Sequence, residues 1–330
     1  GILLCLVAGA LAGAGSAPIK IMKRYDYEHW AFVSSLLGML LLPWLLAYAL
    51  CPNLGDAISQ VGFHAYLKAW LCSFAWGFAN VLAGLCLVRI GFSLTVGILT
   101  GIGLPIGILV PMALKGSGQF ADAPPLFSST GFMVMAFAVL LVIAVALMAL
   151  AGIEREKNNG SNLKKTESSK IGILMAVLAG ILQVGLSFAF VYSQGPLVAA
   201  LKEAGASETG AIAGTWAATL PGGALVNILF TLSILIRKHS FKKLLTAQDF
   251  LLSAAMGIAF IVLIYAMGNG MKMLGPLGAS LGFGIYQGMQ TLSAQGLGFL
   301  SGEWKGAVLK TRLAMIAAIS LTLLGVFGLA

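Results

Sequence analysis

The stretch Phe132–Ala151, FMVMAFAVLLVIAVALMALA, consists of twenty apolar residues without a charge or an amide. A helix of about 20 such residues spans the ~30 Å hydrocarbon core of a bilayer, and it satisfies its own backbone hydrogen bonds. Similar stretches recur along the chain, which is 59% hydrophobic and 9% charged, with a mean hydropathy of +0.97. A soluble domain of this composition would expose a mostly apolar surface. The sequence therefore predicts an all-α polytopic membrane protein.

Ten transmembrane helices account for these stretches. We predict them at residues 1–19, 30–51, 67–88, 92–114, 129–152, 171–193, 209–236, 250–271, 276–299 and 312–330. Of the 20 Lys and Arg residues, 16 fall in the odd-numbered loops, and the even-numbered loops hold only Lys68, Lys115, Lys202 and Lys272. Basic loops stay in the cytoplasm, so both termini are predicted to lie outside a cell inner (cytoplasmic) membrane. The net charge of +9 then faces anionic lipid, and no nucleic acid is expected as a partner.

The polar segment 153–170 divides the chain into two halves of five predicted helices. Residues 1–11 (GILLCLVAGAL) align with residues 172–182 (GILMAVLAGIL). We therefore predict a first repeat at 1–152, a cytoplasmic linker at 153–170 and a second repeat at 171–330. Because five is odd, the second repeat is inverted in the membrane. Inverted repeats are typical of secondary transporters, whose substrate lies near the membrane midplane; a duplication without a transport role is the alternative.

Predicted helices 4 and 9, which correspond in the two repeats, are both rich in glycine. Helix 4 has glycines at 97, 101, 103 and 107 around Pro105, and helix 9 has them at 278, 282, 284 and 288. Small residues at this spacing allow two helices to approach closely. Tight packing is the favoured interpretation, and bending during transport is the alternative.

Seven short motifs follow one another along the chain: Ala17-Pro-Ile-Lys20, Leu42-Pro-Trp44, Trp76-Gly-Phe-Ala-Asn80, Arg89-Ile-Gly91, Ser187-Phe-Ala189, Gly222-Gly-Ala224 with Asn227, and Glu303-Trp304. On these motifs the chain resembles the L-rhamnose–proton symporter family, within the drug/metabolite transporter superfamily. The resemblance extends over essentially the whole chain. It implies a sugar permease that imports a deoxyhexose such as L-rhamnose together with a proton.

A neutral sugar requires aromatic surface for its C–H face and amides for its hydroxyl groups. Polar side chains inside a bilayer are costly and usually face a cavity or another helix. The predicted helices offer a short set of candidates: Trp76, Asn80, Gln183, Trp216, Asn227, Tyr286, Gln287 and Gln290. These groups donate and accept hydrogen bonds without net charge. The alternative is that the amides join helices to one another.

Proton coupling usually needs a titratable group in the translocation path. All 11 carboxylates and all three histidines fall in loops or at helix ends. Glu203 and Glu208, at the predicted outer mouth, are the nearest candidates for proton coupling. Coupling to another cation and uncoupled diffusion remain open.

The sequence favours a transporter over an enzyme. It contains no His-x-x-x-His or Glu-x-x-His spacing and no acid pair inside a predicted helix, so no metal, cofactor or catalytic residue is expected. The predicted partners are a small neutral sugar, a proton (or another cation) and the lipid bilayer. An exporter of the drug/metabolite superfamily, or an uncoupled facilitator of another neutral metabolite, is the alternative function.

Overall fold

The computed structural model of the protein describes residues 1–15, 17–90, 92–114, 125–158, 167–193, 195–302 and 304–329. Four features used in the sequence analysis lie outside these ranges: Gly91 and Glu303 of the family motifs, Lys115, and residues 159–166 of the predicted linker.

Regular structure in the described ranges is helical. The α-helices are α1 (Ile2–Ala14), α2 (Tyr27–Ser35), α3 (Leu42–Leu50), α4 (Leu54–Val61), α5 (Phe63–Ile90), α6 (Phe92–Ala113), α7 (Ser129–Asn158), α8 (Glu167–Leu182), α9 (Gly185–Ser193), α10 (Pro196–Glu203), α11 (Glu208–Thr219), α12 (Pro221–Lys238), α13 (Ala247–Met273), α14 (Phe283–Leu300) and α15 (Leu309–Leu329). Tighter 3-10 turns occur at Ala17–Ile21, Phe241–Leu245 and Gly275–Leu277, and wider π turns at Leu36–Leu41 and Gly278–Gly282.

Eight segments among the described residues are long and apolar enough to cross a membrane: Ile2–Ile21, Tyr27–Leu50, Phe63–Cys86, Ser129–Arg155, Lys170–Ser193, Pro221–Lys238, Ala247–Met273 and Leu309–Leu329. This confirms the prediction of an all-helical polytopic membrane protein. Predicted helices 4 and 9 are the two without a counterpart in this set. Helix 4 contributes the shorter apolar stretch Gly97–Ala113, and helix 9 corresponds to α14, which carries three glutamines in 18 residues.

Prolines interrupt two of the predicted helices. Predicted helix 7 is divided at Pro221: α11 ends at Thr219 and α12 begins at Pro221, while Leu220 between them keeps helical backbone angles (φ −58°, ψ −30°). Predicted helix 2 contains the π turn Leu36–Leu41 just before Pro43, and the amide of Leu42 bonds back to the carbonyl of Leu37. Proline has no N–H to continue the α-helical hydrogen-bond pattern. The π turn is a local change from α-helical to i→i+5 hydrogen bonding next to this proline.

The helices form two compact units, and each unit takes helices from both halves of the sequence. Unit 1 comprises residues 1–14, 82–184 and 270–330, and unit 2 comprises residues 15–81 and 185–269. In unit 1, α1 packs on α14, α15 on α7, and α6 on α7 and α8. In unit 2, α12 packs on α2, α11 on α3, and α10 on α4 and α11.

Glycines bring helices into close contact in both units. In unit 1, a Cβ added to Gly9 would lie 2.5 Å from the carbonyl oxygen of Tyr286 on α14. In unit 2, a Cβ on Gly77 would lie 2.7 Å from the carbonyl oxygen of Gly223, and one on Gly38 would lie 2.7 Å from that of Gly257. Only glycine permits backbones to approach this closely.

Candidate substrate and proton sites

Trp76 and Asn80 lie one turn apart on α5 in unit 2. The indole of Trp76 is buried and stacks on the ring of Phe260 from α13, with 5.7 Å between centroids and 17° between planes. Asn80 is partly buried, and its side-chain amide makes no hydrogen bond to the rest of the described chain. The pair therefore combines an aromatic surface with an amide that is open to a ligand.

Trp216, on α11 of unit 2, is fully buried. Its ring stacks on Phe190 at 5.3 Å with 21° between planes, and its Nε1 lies against the backbone of Gly268. The Nε1–H has no hydrogen-bond partner among the described residues. A buried donor left unpaired costs roughly 1–3 kcal/mol, so this indole is a donor that a ligand or a water molecule could satisfy.

Two of the predicted amides are used between or within helices. In unit 1, Nε2 of Gln183 donates to the carbonyl oxygen of Leu99 at 2.5 Å, which ties α8 to α6. In unit 2, Nδ2 of Asn227 donates to the carbonyl oxygen of Gly223 one turn earlier, at 2.9 Å. Each amide nitrogen thus uses one of its two N–H donors within the protein, and the carbonyl oxygens of both side chains remain available.

The three candidates on α14 lie in unit 1. Tyr286 and Gln287 are buried, and Gln290 is partly buried. The side-chain amides of both glutamines make no hydrogen bond to the described residues. Tyr286 and Gln290 are four residues apart and therefore share a face of the helix, as Trp76 and Asn80 do in unit 2.

Two buried hydroxyl groups of unit 2 were absent from the predicted site. Oγ of Ser187 on α9 and the phenol oxygen of Tyr265 on α13 are buried without a hydrogen-bond partner among the described residues. Each is a polar atom inside an apolar span, which is the signal that could have identified it in the sequence.

The predicted proton-coupling residues lie at a surface of unit 2. Glu203 ends α10 and is exposed, and Glu208 begins α11 with its side chain 60% exposed. Nζ of Lys202 lies 3.4 Å from Oε1 of Glu208. An exposed pair of this kind is weak and is screened by salt, so both glutamates are accessible to protons from solvent.

A second cluster of charged residues in unit 2 was not predicted as a site. The sequence analysis assigned its carboxylates to loops or helix ends and did not consider whether they are buried. Asp249, at the start of α13, is buried, and Oδ2 accepts hydrogen bonds from the amides of Arg24 at 2.7 Å and Tyr25 at 3.0 Å. The amide of Lys23 lies 3.3 Å from both carboxylate oxygens. Asp249 thereby fixes the chain just before α2.

Ion pairs surround the start of α2. Nζ of Lys243 donates to Oδ2 of Asp26 at 2.6 Å, and this bond holds the pKa of the Asp26 carboxyl below its usual value. Nζ of Lys238 lies 3.0 Å from Oε1 of Glu28, a side chain that is only 2% exposed. Nδ1 of His29 accepts the amide N–H of Asp26 at 3.1 Å, and Nε2 faces the carbonyl oxygen of Ser240 at 3.1 Å. These two contacts fit a neutral imidazole with its proton on Nε2.

The family model and several relatives of this chain carry the same description. The sequence profile of the L-rhamnose-proton symport protein family matches residues 1–318. An L-rhamnose-proton symporter of Mannheimia succiniciproducens is 28% identical over 337 residues, 98% of this chain and 95% of the relative. One of Yersinia pestis (strain Pestoides F) is 27% identical over 313 residues, 92% of this chain and 89% of the relative. With a family match over nearly its whole length, the chain belongs to the L-rhamnose-proton symport protein family, which comprises transporters and not enzymes.

Proposed function

We propose that this protein imports L-rhamnose or a related monosaccharide across a cell inner membrane, by proton symport with alternating access. The observation that carries the proposal is a set of uncharged polar groups left without partners inside membrane helices, in a member of a rhamnose–proton symport family. Amides, an indole and hydroxyl groups suit a neutral polyol, because each can donate or accept without adding charge to the membrane interior.

We further propose that the two sequence halves are inverted repeats, with both termini outside. Matched contacts inside each unit support this. In unit 1, Gly9 of the first half contacts Tyr286, and Gly180, which aligns with Gly9, contacts α6 near Leu99. The first contact joins predicted helices 1 and 9, and the second joins helices 6 and 4, which are their counterparts in the other repeat.

The same correspondence occurs in unit 2. Gly77 contacts Gly223, which joins predicted helices 3 and 7, while Gly257 contacts Gly38, which joins helices 8 and 2. Under a repeat of five helices, these are again equivalent pairs. Cysteine substitutions at Phe120 and Gly160, in a variant without native cysteines, test the orientation: an impermeant thiol reagent should label them from opposite sides of the membrane. Labelling from one side would contradict the proposed topology.

We expect the substrate to bind near predicted helices 4 and 9. Two prolines, Pro105 and Pro111, lie inside α6, and the turns Gly275–Gly282 precede α14. Interrupted segments at corresponding positions of two repeats are a pointer to the binding site of a transporter. The two segments also contact each other, since Gly107 faces the ring of Phe283 and Gly284 faces Ile108.

In unit 2, we propose Asn80 as a principal hydrogen-bonding group for the sugar, with Trp76 and Trp216 as aromatic groups. In unit 1, we propose Gln287 and Gln290 as hydrogen-bonding groups. Tyr286, Gln183 and Asn227 stay in the proposed set, the last two through their carbonyl oxygens. For the proton, we propose that Glu203 and Glu208 make the first contact, because both are exposed in a loop predicted to lie outside.

Uptake of L-rhamnose into proteoliposomes under an imposed pH gradient, acidic outside, tests the function. Symport predicts accumulation above the external concentration and alkalinisation of the medium when sugar is added. Equilibration without proton movement would favour the uncoupled facilitator. A thermal-shift series with sugars, amino acids and lipophilic cations identifies the substrate class, since a bound ligand stabilises by RT ln(1 + [L]/Kd).

A further inference from the structure

Two carboxylates are buried among those whose side chains the structure describes, and both belong to unit 2. Glu28 lies in the first turn of α2 and Asp249 in the first turn of α13; they are 2% and 1% exposed. Burial disfavours a carboxylate charge unless a partner compensates for the lost water. The partners of the two groups therefore determine whether each stays ionised.

Asp249 is held by groups that cannot leave. Backbone amides of Lys23, Arg24 and Tyr25 bond to its two oxygens. A carboxylate that accepts several amide hydrogen bonds is strongly favoured in its ionised form. Protonation would weaken bonds that fix the chain before α2, so we assign Asp249 a structural role.

Glu28 has a partner that can leave. Nζ of Lys238 lies within ion-pair distance of Oε1, at 3.0 Å, but Oε1 accepts no hydrogen bond of good geometry from the described residues. The side chain of Lys238 is 57% exposed and can move into water at little cost. Without it, a buried Glu28 requires another positive charge or a proton.

The other charged and titratable groups that face Glu28 are already paired. Atoms of Asp26, Glu28 and His29 lie within 4.8 Å of one another. Asp26 is bonded to Lys243, and both nitrogens of His29 contact backbone groups. With two lysines compensating two carboxylates, the arrangement favours a proton over a metal ion as the species that Glu28 takes up.

We propose that Glu28 carries the transported proton and that Lys238 controls its release to the cytoplasm. The proposal rests on proton symport as the function. With Lys238 turned into solvent, Glu28 is a neutral carboxylic acid. When the ammonium of Lys238 returns, the carboxyl group gives its proton to water, and the carboxylate forms the observed ion pair.

Replacement of the acid by its neutral isostere, Glu28→Gln, separates coupling from sugar movement. In proteoliposomes the variant should exchange L-rhamnose in counterflow at equal pH on both sides, since exchange needs no net proton transfer. It should lose accumulation driven by a pH gradient and sugar-induced alkalinisation. Asp26→Asn is the matched control, because it removes the neighbouring exposed carboxylate of another lysine pair; it should retain coupling.

Accumulation and alkalinisation that survive in Glu28→Gln would overturn the assignment of Glu28. A wild-type protein that neither exchanges L-rhamnose nor moves protons would instead refute the proposed function, whatever the variant does.

A measurement on the unaltered carboxyl group covers the case in which Glu28→Gln does not fold. Dicyclohexylcarbodiimide reacts with protonated carboxyl groups in apolar surroundings, and mass spectrometry locates the adduct. At each pH tested, labelling of Glu28 should be stronger in Lys238→Met than in the wild type, because the carboxyl group then lacks the cation that lies 3.0 Å from it. Absence of labelling at every pH, in protein that is active in transport, would overturn the proposal.

Discussion

The indole of Trp76 lies nearly parallel to the ring of Phe260, with 5.7 Å between centroids and 17° between planes. One face of the indole is thus covered by α13, and stacked pairs of this kind contribute about 0.5–1.5 kcal/mol beyond the area they bury. Trp76 therefore supports α5 as well as offering an aromatic surface, and substitutions on the two sides of the stack should separate these roles.

Phe260→Ala should lower the thermal unfolding temperature of the protein in detergent while preserving the stabilisation that L-rhamnose provides. Trp76→Ala should lower the unfolding temperature and also abolish that stabilisation, because the proposed sugar surface is gone. Truncation of a large buried aromatic side chain lowers the free energy of unfolding by roughly 3–5 kcal/mol. Equal sugar-induced shifts in the two variants would remove Trp76 from the site.

The amides should divide into two classes in an alanine series. Asn80→Ala and Gln290→Ala remove groups without partners in the described structure, so stability should change little while sugar affinity falls. The loss of a hydrogen bond to a buried hydroxyl costs roughly 1–3 kcal/mol, which corresponds to about 5- to 150-fold in Kd.

Gln183→Ala and Asn227→Ala are the comparison. Each removes a hydrogen bond to a helix carbonyl and should lower the unfolding temperature, and its loss of sugar affinity should be smaller than in Asn80→Ala or Gln290→Ala. Sugar titrations followed by thermal shift measure both quantities on one sample. Normal affinity in Asn80→Ala and Gln290→Ala would identify these amides as packing groups.

Asp249→Ala should destabilise unit 2, because the amide of buried Tyr25 and two neighbouring amides lose their acceptor. A buried donor without a partner costs roughly 1–3 kcal/mol, and amide hydrogen exchange at residues 23–25 should speed up accordingly. Asp26→Asn loses only an exposed ion pair, worth about 0–1 kcal/mol. Similar unfolding temperatures for the two variants would contradict the structural role of Asp249.

Three glycines of unit 1 should respond to alanine in a fixed order. An added Cβ would lie 2.5 Å from a backbone oxygen at Gly9, 3.0 Å from Cβ of Ile102 at Gly180, and more than 4 Å from any atom at Gly296. Overpacking costs roughly 1–3 kcal/mol, whereas alanine in place of an unconstrained helical glycine adds about 0.5–1 kcal/mol.

The unfolding temperature should therefore fall most in Gly9→Ala, less in Gly180→Ala, and stay level or rise in Gly296→Ala. If the unfolding temperature fell as much in Gly296→Ala as in Gly9→Ala, the close helix contact at Gly9 would be contradicted.

The all-helical, membrane-spanning class of the fold could be predicted from the sequence because the bilayer imposes a simple length rule on apolar segments. The interruption at Pro221 was partly visible, because proline lacks the N–H that continues a helical ladder. The π turn at Leu36–Leu41 was not, because Pro43 signals only a missing N–H and the leucines before it do not distinguish a π turn from an α-helical one. The assembly into two units depends on contacts between distant helices, which periodicity does not report.

The candidate site could be predicted only as a set of residue types. Polar atoms in apolar spans make Asn80 and Gln290 candidates, but the bonds of Gln183 and Asn227 depend on which carbonyls lie nearby. Glu28 and Asp249 lie at helix ends, as the sequence indicated. Their burial depends on how the ends of α2 and α13 pack against segments that are distant in sequence. The composition of the sequence around a charged residue does not reveal which distant segment packs against it.

The bond between Lys23 and Asp249 has a consequence for synthesis. The two residues are 226 positions apart, and at about 5–20 residues per second the ribosome needs roughly 10 to 45 seconds to make Asp249 after Lys23. During that interval the amides before α2 have no acceptor from the protein, and Glu28 has no Lys238. A nascent chain of five helices is therefore an unfinished protein, which must rely on water, lipid headgroups or the insertion machinery until its second half arrives.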